Sequence, residues 1–556
     1  MNNLMRLTCC AALLCSTVAG TAQQVSAVWN PDKGKTYVNP VINADYSDPD
    51  VCRVGNDYYM TSSSFNCIPA LQILHSKDLV NWTLIGYAAE RLTPEEDFSK
   101  PQHGNGVWAP SIRYHNGEFY VCYGDPDRGI YMIKTKDPAG RWDDPILIHP
   151  AVGLIDPCPF WDEDGRAYIA HGYAGSRAGV KSIIGMIEMT PDGTATIGPD
   201  RVIYDGHIGN ETIEGAKMYK RDGYYYIFSP AGGVATGWQV VLRSKNVWGP
   251  YETRTVMAQG NTDVNGPHQG GWVDTPDGKE HWFLHFQDKG AYGRVVHLQP
   301  MEWLENGWPV IGVDKDGDGC GEPVSTYKKP NVGKSYPKAT PAESDEFDSV
   351  DLGLQWQWHG NPNALWYFCD AAASKLRLFS HHTPDMKSLY DVPNLLLQKF
   401  PTENFTATTQ VKFVPRKNKG KTVEGERAGL VVMGLDYAVL ALESRADGIY
   451  LVQAACAKAD KGGVEKENTA IKLDSDELYL RVKVKQTTRK PTQKPDYKCE
   501  CTFYYSLDGK KYEPIGKTFT AKEGKWIGAK VGLFCTRPWK SNDSGWLESD
   551  WFRITK

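Results

Sequence analysis

Residues 212–233, TIEGAKMYKRDGYYYIFSPAGG, carry the pattern that decides the fold. Glu214 stands where a strand would begin, and an aromatic run from Tyr224 to Phe228 follows an Asp-Gly turn. Aromatic and β-branched runs favour strands, and a Gly-containing turn between two such runs predicts a hairpin. The stretch therefore predicts a carboxylate held at a strand edge of a β-sheet.

The same pattern recurs four more times, beginning near Asp48, Pro110, Asp156 and His268. In each copy a pair of residues, aromatic in at least one position, marks the second strand: Tyr58-Tyr59, Phe119-Tyr120, Ala167-Tyr168, Tyr225-Tyr226 and Trp282-Phe283. These pairs lie roughly 50–60 residues apart, the period of a propeller blade. Because no helical period interrupts them, the sequence predicts an all-β, five-bladed β-propeller.

A propeller brings the innermost strand of every blade to one axis. Asp48, Asp156 and Glu214 belong to three different copies, and we interpret them as occupying equivalent blade positions. They are therefore predicted to meet in a single central pocket. The alternative for each acid is a turn residue that accepts hydrogen bonds from backbone amides.

The amino-acid composition of the chain changes near Asp314, where DKDGDGCGEPV is followed by a Pro- and Lys-rich stretch. A second β-type pattern then runs to the end of the chain. We predict a propeller domain at residues 30–325, a linker at 326–343 and a two-sheet β-sandwich at 344–556, which is long enough for its own core.

Composition narrows the function. The chain has 556 residues and a net charge of −5, and it has no basic cluster that would hold a phosphate backbone, so nucleic acid is not an expected partner. Its 18 Trp and 29 Tyr suit both β-sheet cores and stacking on sugar rings. No stretch after the N-terminus is long and apolar enough for a membrane span.

Residues 1–22 combine Arg6, an apolar run and small residues, which predicts a cleaved secretory signal and an exported, periplasmic or secreted protein. A lipid anchor at Cys15 is a less favoured alternative. Ten of the 13 cysteines follow this segment without the spacing of a zinc site. We expect most of them to be buried thiols, although export permits a disulfide.

The chemistry that three convergent acids support is glycoside hydrolysis. One carboxyl group protonates the leaving oxygen, while another activates water or attacks the anomeric carbon. Mutual repulsion and burial would raise the pKa of one acid and leave another ionised, which separates the acid from the base.

Six motifs resemble, in order, glycoside hydrolase family 43: NPVINADYSDPDVCRVGNDYYM, LHSKDLVNWTLIG, GVWAPSIRY, LIDPCPFWDEDGRAYI, TIEGAKMYK and GRVVHLQPMEW. The later DEFD and LGLQWQW segments resemble the concanavalin-like C-terminal domain of the β-xylosidase and arabinofuranosidase members. The resemblance implies a five-bladed propeller and a single-displacement, inverting hydrolysis of pentose-containing plant polysaccharides or their oligosaccharides.

Carried over motif by motif, the resemblance makes Asp48 the general base and Glu214 the general acid. Asp156 becomes the third acid, which positions Glu214 and tunes its protonation. An inverting pair would lie about 6.5–9.5 Å apart, against about 5–5.5 Å for a retaining pair.

The resemblance also implies that Arg294 reaches a substrate hydroxyl and that Phe65 and Trp108 line the pocket of the terminal sugar. A strand arginine and two packing residues are the alternatives. His268 matches an axial histidine that faces a calcium ion or water in relatives, although calcium prefers oxygen ligands. The chemistry itself requires no cofactor.

A second calcium candidate is the loop that begins at Asp314. Its acids at positions one, three and five and its Gly at six are typical of an EF-hand, but the twelfth position is Ser325. We slightly favour an ordinary acidic turn.

Several alternatives stay open. The leading hypothesis is an exo-acting enzyme that removes terminal α-L-arabinofuranose, with β-D-xylose second, from hemicelluloses such as arabinoxylan or xyloglucan. A non-catalytic glycan-binding propeller is the alternative from another class, and a retaining fructan hydrolase or a sialidase is less favoured because their motifs are missing. The second domain either binds polysaccharide or inserts a loop into the pocket rim. Trp539 and Trp546 are candidates for either role, with core packing as the alternative for both. The oligomeric state is left open.

Overall fold

Five four-stranded antiparallel sheets follow one another along the chain, and each is built from four consecutive strands. This computed structural model describes residues 25–488 and 497–556. The predicted signal sequence at residues 1–22 lies outside the described residues. The five sheets are the blades of a β-propeller, as the repeat of aromatic strands predicts.

A short strand, β1 (Thr36–Val38), precedes the blades. Blade 1 contains β2 (Asp50–Val54), β3 (Asp57–Thr61), β4 (Ala70–Ser76) and β5 (Trp82–Ala89). Blade 2 contains β6 (Trp108–His115), β7 (Glu118–Asp125), β8 (Gly129–Thr135) and β9 (Ile146–Pro150). Blade 3 contains β10 (Leu154–Trp161), β11 (Ala167–Tyr173), β12 (Ile183–Met189) and β13 (Thr196–Asp205). Blade 4 contains β14 (Lys217–Arg221), β15 (Tyr224–Ala231), β16 (Trp238–Ser244) and β17 (Glu252–Met257). Blade 5 contains β18 (His268–Asp274), β19 (His281–Asp288), β20 (Arg294–Trp303) and β21 (Pro309–Ile311).

The connections carry only short helices. Helices α1 (Glu95–Phe98) and α2 (Gly175–Ala178) and a 3-10 turn (Gly290–Tyr292) lie between propeller strands. None of the helices in the described part of the chain has the length and apolar character that a membrane span needs.

The predicted aromatic pairs lie on the second strand of each blade, β3, β7, β11, β15 and β19. Two hairpins between the first and second strands have a physical reason in the sequence. Asn116 and Gly117 join β6 to β7, and Asp222 and Gly223 join β14 to β15, all with positive φ. Two positive φ values are what a type I′ turn requires, and this turn matches the twist of the flanking strands.

The ring closes between blades 1 and 5. Trp82 of blade 1 and Trp282 of blade 5 belong to one buried apolar cluster, and Tyr37 next to it donates a hydrogen bond to the Leu298 carbonyl at 2.8 Å. Similar apolar clusters lie between other neighbouring blades. The propeller is therefore held together by burial between sheets, which is roughly proportional to the apolar area removed from water.

The remaining strands build the sandwich and its connection to the propeller. They are β22 (Thr326–Lys328), β23 (Gln357–Trp358), β24 (Tyr367–Asp370), β25 (Lys375–Phe379), β26 (His381–His382), β27 (Leu396–Lys399), β28 (Phe405–Val414), β29 (Lys417–Asn418), β30 (Lys421–Thr422), β31 (Arg427–Met433), β32 (Tyr437–Arg445), β33 (Gly448–Cys456), β34 (Lys466–Leu473), β35 (Glu477–Thr488), β36 (Lys498–Ser506), β37 (Glu513–Pro514), β38 (Phe519–Ala521), β39 (Lys530–Arg537) and β40 (Trp546–Thr555), with 3-10 turns at Leu389–Asp391 and Ala459–Lys461.

Two eight-stranded sheets form the sandwich. One has the strand order β23-β27-β39-β31-β32-β33-β34, with β26 beside β39. The other has the order β24-β25-β40-β28-β35-β36-β37, with β38 beside β36. Leu430 and Leu440 of the first sheet and Leu480 and Phe503 of the second are fully buried in one core. The predicted two-sheet sandwich is confirmed.

The segment predicted as a linker is ordered against the propeller. Its first residues form β22, which pairs antiparallel with β1. Further along, Glu343 accepts hydrogen bonds from the Ser26 hydroxyl at 2.6 Å and from the Ala27 amide at 2.8 Å. The ten described cysteines are all unpaired, and eight of them are buried, as expected for structural thiols.

Candidate active site

Asp48, Asp156 and Glu214 line one pocket of about 120 Å³ at the start of the inner strands. Every blade begins its inner strand near this pocket, which is why acids far apart along the chain meet there. Its walls include Phe65, Trp108, His268, Arg294 and, from the sandwich domain, Trp526. The predicted site residues are thus all brought together.

A left-handed residue recurs at the start of each inner strand: Asp48, Ala109, Asp156, Gly215 and Gln269 all have positive φ. In blades 2, 3 and 5 the strand register shifts at this point, as at a β-bulge. A bulge re-aims a side chain, and Asp and Gly tolerate the left-handed region better than most residues. The repeated bulge therefore turns the chain at the pocket.

The prediction that the three acids occupy equivalent blade positions is wrong for Glu214, which lies one residue before the position that the other two occupy. Asp48 and Asp156 occupy the left-handed position itself, whereas in blade 4 that position is Gly215 and Glu214 precedes it. The longer glutamate side chain therefore starts one residue further from the strand. The same preceding position holds Trp108 in blade 2 and His268 in blade 5, and both line the pocket.

Asp48 is buried, with only 6% of its surface exposed, and it is held on both oxygens. Ser63 donates its hydroxyl to Oδ2 at 2.5 Å and in turn accepts the Ala109 amide at 2.7 Å. Arg294 Nη1 lies 3.2 Å from Oδ1 and 3.4 Å from Oδ2. These contacts fix the position of the Asp48 carboxyl group at the pocket wall.

Asp156 is the most deeply buried of the three acids. It is 3% exposed, and its Oδ2 accepts the Gly215 amide at 2.8 Å. Burial raises the pKa of Asp156 to about 8, and the charges of Glu214 and Asp48 act in the same direction. The Gly215 amide and the Lys217 ammonium only partly oppose this shift. These surroundings favour the protonated form of Asp156 more than those of an exposed aspartate would.

Glu214 is the most accessible of the three acids, with 24% of its side chain exposed. Its backbone amide donates to the Pro230 carbonyl at 3.1 Å, which fixes the residue at the pocket wall. His268 Nε2 lies 3.3 Å from Glu214 Oε1, although the two groups are not aligned for a hydrogen bond. Within the described chain, both ring nitrogens of the buried His268 lack a hydrogen-bond partner.

The metal-ligating groups around His268 do not fit a calcium ion. Calcium takes six to eight oxygen ligands, whereas the acid beside His268 is the single carboxylate of Glu214. Over residues 25–488 and 497–556, three ligand-type side chains come within 4.8 Å of one another only at Asp314, Asp316 and Asp318. The calcium ion at His268 stays a prediction, and no catalytic step involves it.

The other predicted binding residues form the walls. The rings of Phe65 and Trp108 lie 6.3 Å apart in an edge-to-face arrangement. Arg294 is 7% exposed and also donates Nη1 to Ser47 at 2.9 Å. Its guanidinium lies over the ring of Phe286, so the arginine is a fixed part of the pocket rather than an exposed strand residue.

The sandwich domain contributes Trp526, which the sequence analysis missed. Its ring lies 6.1 Å from that of Trp108, and the Arg294 guanidinium lies 5.8 Å from its centre. The loop is anchored by the Gly528 amide, which donates to Asp45 at 2.9 Å. The alternative of a loop inserted into the rim is therefore the one observed.

Neither of the two tryptophans considered for the rim of the pocket lines it. Trp539 donates its indole N–H to the Glu424 carbonyl, and Trp546 packs against Arg377, both outside the pocket. The sequence around Trp526, GKWIG, carries no motif that would have singled it out. Ser63, by contrast, stands in the SSSFN segment just before Phe65, where a hydroxyl near the pocket could have been proposed.

Three acids in different electrostatic surroundings, inside an aromatic-walled pocket on a propeller axis, define a glycoside hydrolase. The family model described as "Glycosyl hydrolases family 43" matches residues 37–309. The model described as "Beta xylosidase C-terminal Concanavalin A-like domain" matches residues 344–555. The chain belongs to glycosyl hydrolase family 43.

Relatives match along most of the chain. A β-xylosidase of Formosa agariphila is 33% identical over 574 residues, covering 96% of this chain and 92% of its own. A non-reducing end α-L-arabinofuranosidase of Bacteroides ovatus is 31% identical, covering 75% and 78%. The crystal structure of a family 43 protein from Bacillus licheniformis superposes with a TM-score of 0.76 at 26% identity, covering 94% of this chain and 99% of that one.

Proposed function

We propose that this glycoside hydrolase is an exo-acting, inverting enzyme that removes terminal pentose units from plant hemicellulose or its oligosaccharides. The observation that carries the proposal is the small pocket, about 120 Å³, in which three acids face one another and which Trp526 borders from the second domain. A pocket of this size suits one sugar at a chain end better than an internal stretch of polysaccharide.

Asp48 acts as the general base. The Ser63 hydroxyl and the Arg294 guanidinium hold its carboxylate in the pocket, where it can take a proton from an attacking water. Among described contacts, Arg294 uses only Nη1 for Asp48 and Ser47, which leaves its other nitrogens for a substrate hydroxyl.

Glu214 acts as the general acid, because it is the acid whose side chain is partly exposed to the pocket. The buried Asp156, with a pKa of about 8, places a second titratable carboxyl next to it. Asp156 accepts the amide of Gly215, the residue that follows Glu214, and so fixes the chain from which the general acid projects.

The identity of the pentose has two candidates. The sequence of residues 43–67, NADYSDPDVCRVGNDYYMTSSSFNC, favours α-L-arabinofuranose, as the name of the Bacteroides ovatus relative does. The name of the Formosa agariphila relative favours β-D-xylose. Both sugars have five carbons and present similar hydroxyls, so neither is excluded by the size of the pocket.

A panel of nitrophenyl pentosides tests the proposal. We expect release from the arabinofuranoside or the xyloside, and a loss of about 10²–10⁴-fold in kcat for Asp48→Asn and for Glu214→Gln. NMR of the first product gives its anomeric configuration. Retained configuration would remove the base role of Asp48, and the absence of turnover on every pentoside would refute the pentosidase proposal.

A further inference from the structure

A second cavity lies at the other end of the propeller axis. It is lined by three consecutive residues from each of the five inner strands, 51–53, 113–115, 159–161, 218–220 and 272–274, and its volume is about 350 Å³. All five segments lie further along their blades' inner strands than the residues that line the catalytic pocket, which stand at or near the strand starts. We call this cavity the far mouth.

The far mouth is separate from the catalytic pocket. The two cavities share no lining residue, and Tyr219 lies five residues beyond Glu214 along the chain. Asp50, Ser111 and Lys217 lie between the two ends and are completely buried. A sugar in one cavity therefore does not contact the other.

Aromatic side chains from blades 2 to 5 surround the far mouth. Tyr114 is 43% exposed, and the rings of His115 and Trp161 stack at 4.6 Å with an angle of 9° between them. Tyr219 and Trp272 meet edge to face at 5.1 Å. Large flat rings with a polar edge suit surfaces that are apolar on one side and wet on the other, and a sugar ring has such a surface.

The charges at the far mouth are balanced. Arg53 Nε lies 2.8 Å from Asp274. Arg113 pairs with the buried Asp50 at 2.6 Å. Lys220, the remaining cation there, lies 2.5 Å from Asp162 and 3.0 Å from Glu163. Each of these three cations already has an acidic partner, so the pairs offer fixed hydrogen-bond donors and acceptors, which favours a neutral polyol over a phosphate.

We propose that the far mouth is a non-catalytic binding site for a neutral glycan, and that it holds internal units of the polysaccharide whose terminal sugars the catalytic pocket removes. The choice of polysaccharide rests on the proposed function. The far mouth has about three times the volume of the catalytic pocket, and all its lining residues belong to the propeller. It therefore lacks the wall that Trp526 adds at the other end.

Native gels that contain arabinoxylan test this site. The gel is run with saturating arabinose and xylose, which occupy the catalytic pocket. We expect the wild-type protein to be retarded, Tyr114→Ala to bind about three- to tenfold more weakly, and Tyr114→Phe, which keeps the ring, to bind within about twofold of wild type. Hydrolysis of a nitrophenyl pentoside should be unchanged in both variants, which also shows that they are folded.

A second measurement uses the same variants on the polymer. Tyr114→Ala should release pentose from arabinoxylan more slowly than wild type while its rate on the nitrophenyl pentoside stays the same. Equal retardation of wild type and Tyr114→Ala, or retardation that the free pentoses abolish, would overturn the proposal. Failure of the proposed function would give a different result from failure of the binding site. The protein would then hydrolyse no pentoside, whether or not the gel retards it.

Discussion

Replacing Asp156 by Asn should stabilise the propeller, and by more at pH 7 than at pH 5. The aspartate has a pKa of 3.8 in a solvated chain and about 8 in the folded protein, where it is buried beside Glu214. Between these values the folded protein keeps a proton that the unfolded chain releases. Stability therefore falls as pH rises, by about 1.36 kcal/mol per pH unit.

The magnitude follows from this slope. From pH 5 to pH 7 the wild-type protein loses on the order of 3 kcal/mol that Asp156→Asn does not lose, because asparagine has no proton to release. The amide oxygen of asparagine can still accept the Gly215 N–H, and asparagine tolerates the left-handed backbone at this position. For a propeller of roughly 270 residues the difference corresponds to about 5 °C in Tm.

The assay is thermal unfolding of wild type and Asp156→Asn at both pH values, followed through the propeller transition. Asp222→Asn is the matched control, because Asp222 also has a left-handed backbone but its side chain is 78% exposed. Glu214→Gln should reduce the pH dependence of the wild type, since the charge of Glu214 helps to raise the pKa of Asp156. An equal gap between wild type and Asp156→Asn at pH 5 and pH 7 would refute the reasoning. Activity should fall in Asp156→Asn, with a shifted pH profile.

Three further predictions concern the pocket and the acidic loop. Trp526→Ala should raise KM for a nitrophenyl pentoside about three- to tenfold with a smaller change in kcat, because the ring packs on Trp108 and walls the pocket; an unchanged KM would mean that the ring does not contact substrate. Ser63→Ala should lower kcat/KM about 10- to 100-fold, because a hydrogen bond to the charged Asp48 contributes about 1.5–3 kcal/mol. A kcat/KM equal to that of wild type in steady-state kinetics would contradict this role of Ser63. Millimolar calcium should leave Tm unchanged, because the acidic loop already accepts its own backbone amides; a rise in Tm that Asp316→Asn abolishes would instead establish a calcium site there.

The sequence by itself determined the architecture, because its signals are local. The aromatic pairs on each second strand follow from the β preference of those residues, and Asn116-Gly117 and Asp222-Gly223 adopt the turn that their backbone freedom allows. A pattern repeated five times at blade spacing predicts one closed ring of five blades. The three acids could be selected for the same reason, since each stands at the start of a repeated unit.

Only the tertiary structure decided how the pocket works. Trp526 reaches it from a domain that begins hundreds of residues after Asp48, and no local motif marks it. The hydroxyl of Ser63 and the one-residue offset of Glu214 depend on how bulges aim side chains towards a shared axis. The raised pKa of Asp156 arises from burial next to another carboxylate, a property of packing that no single stretch of chain contains.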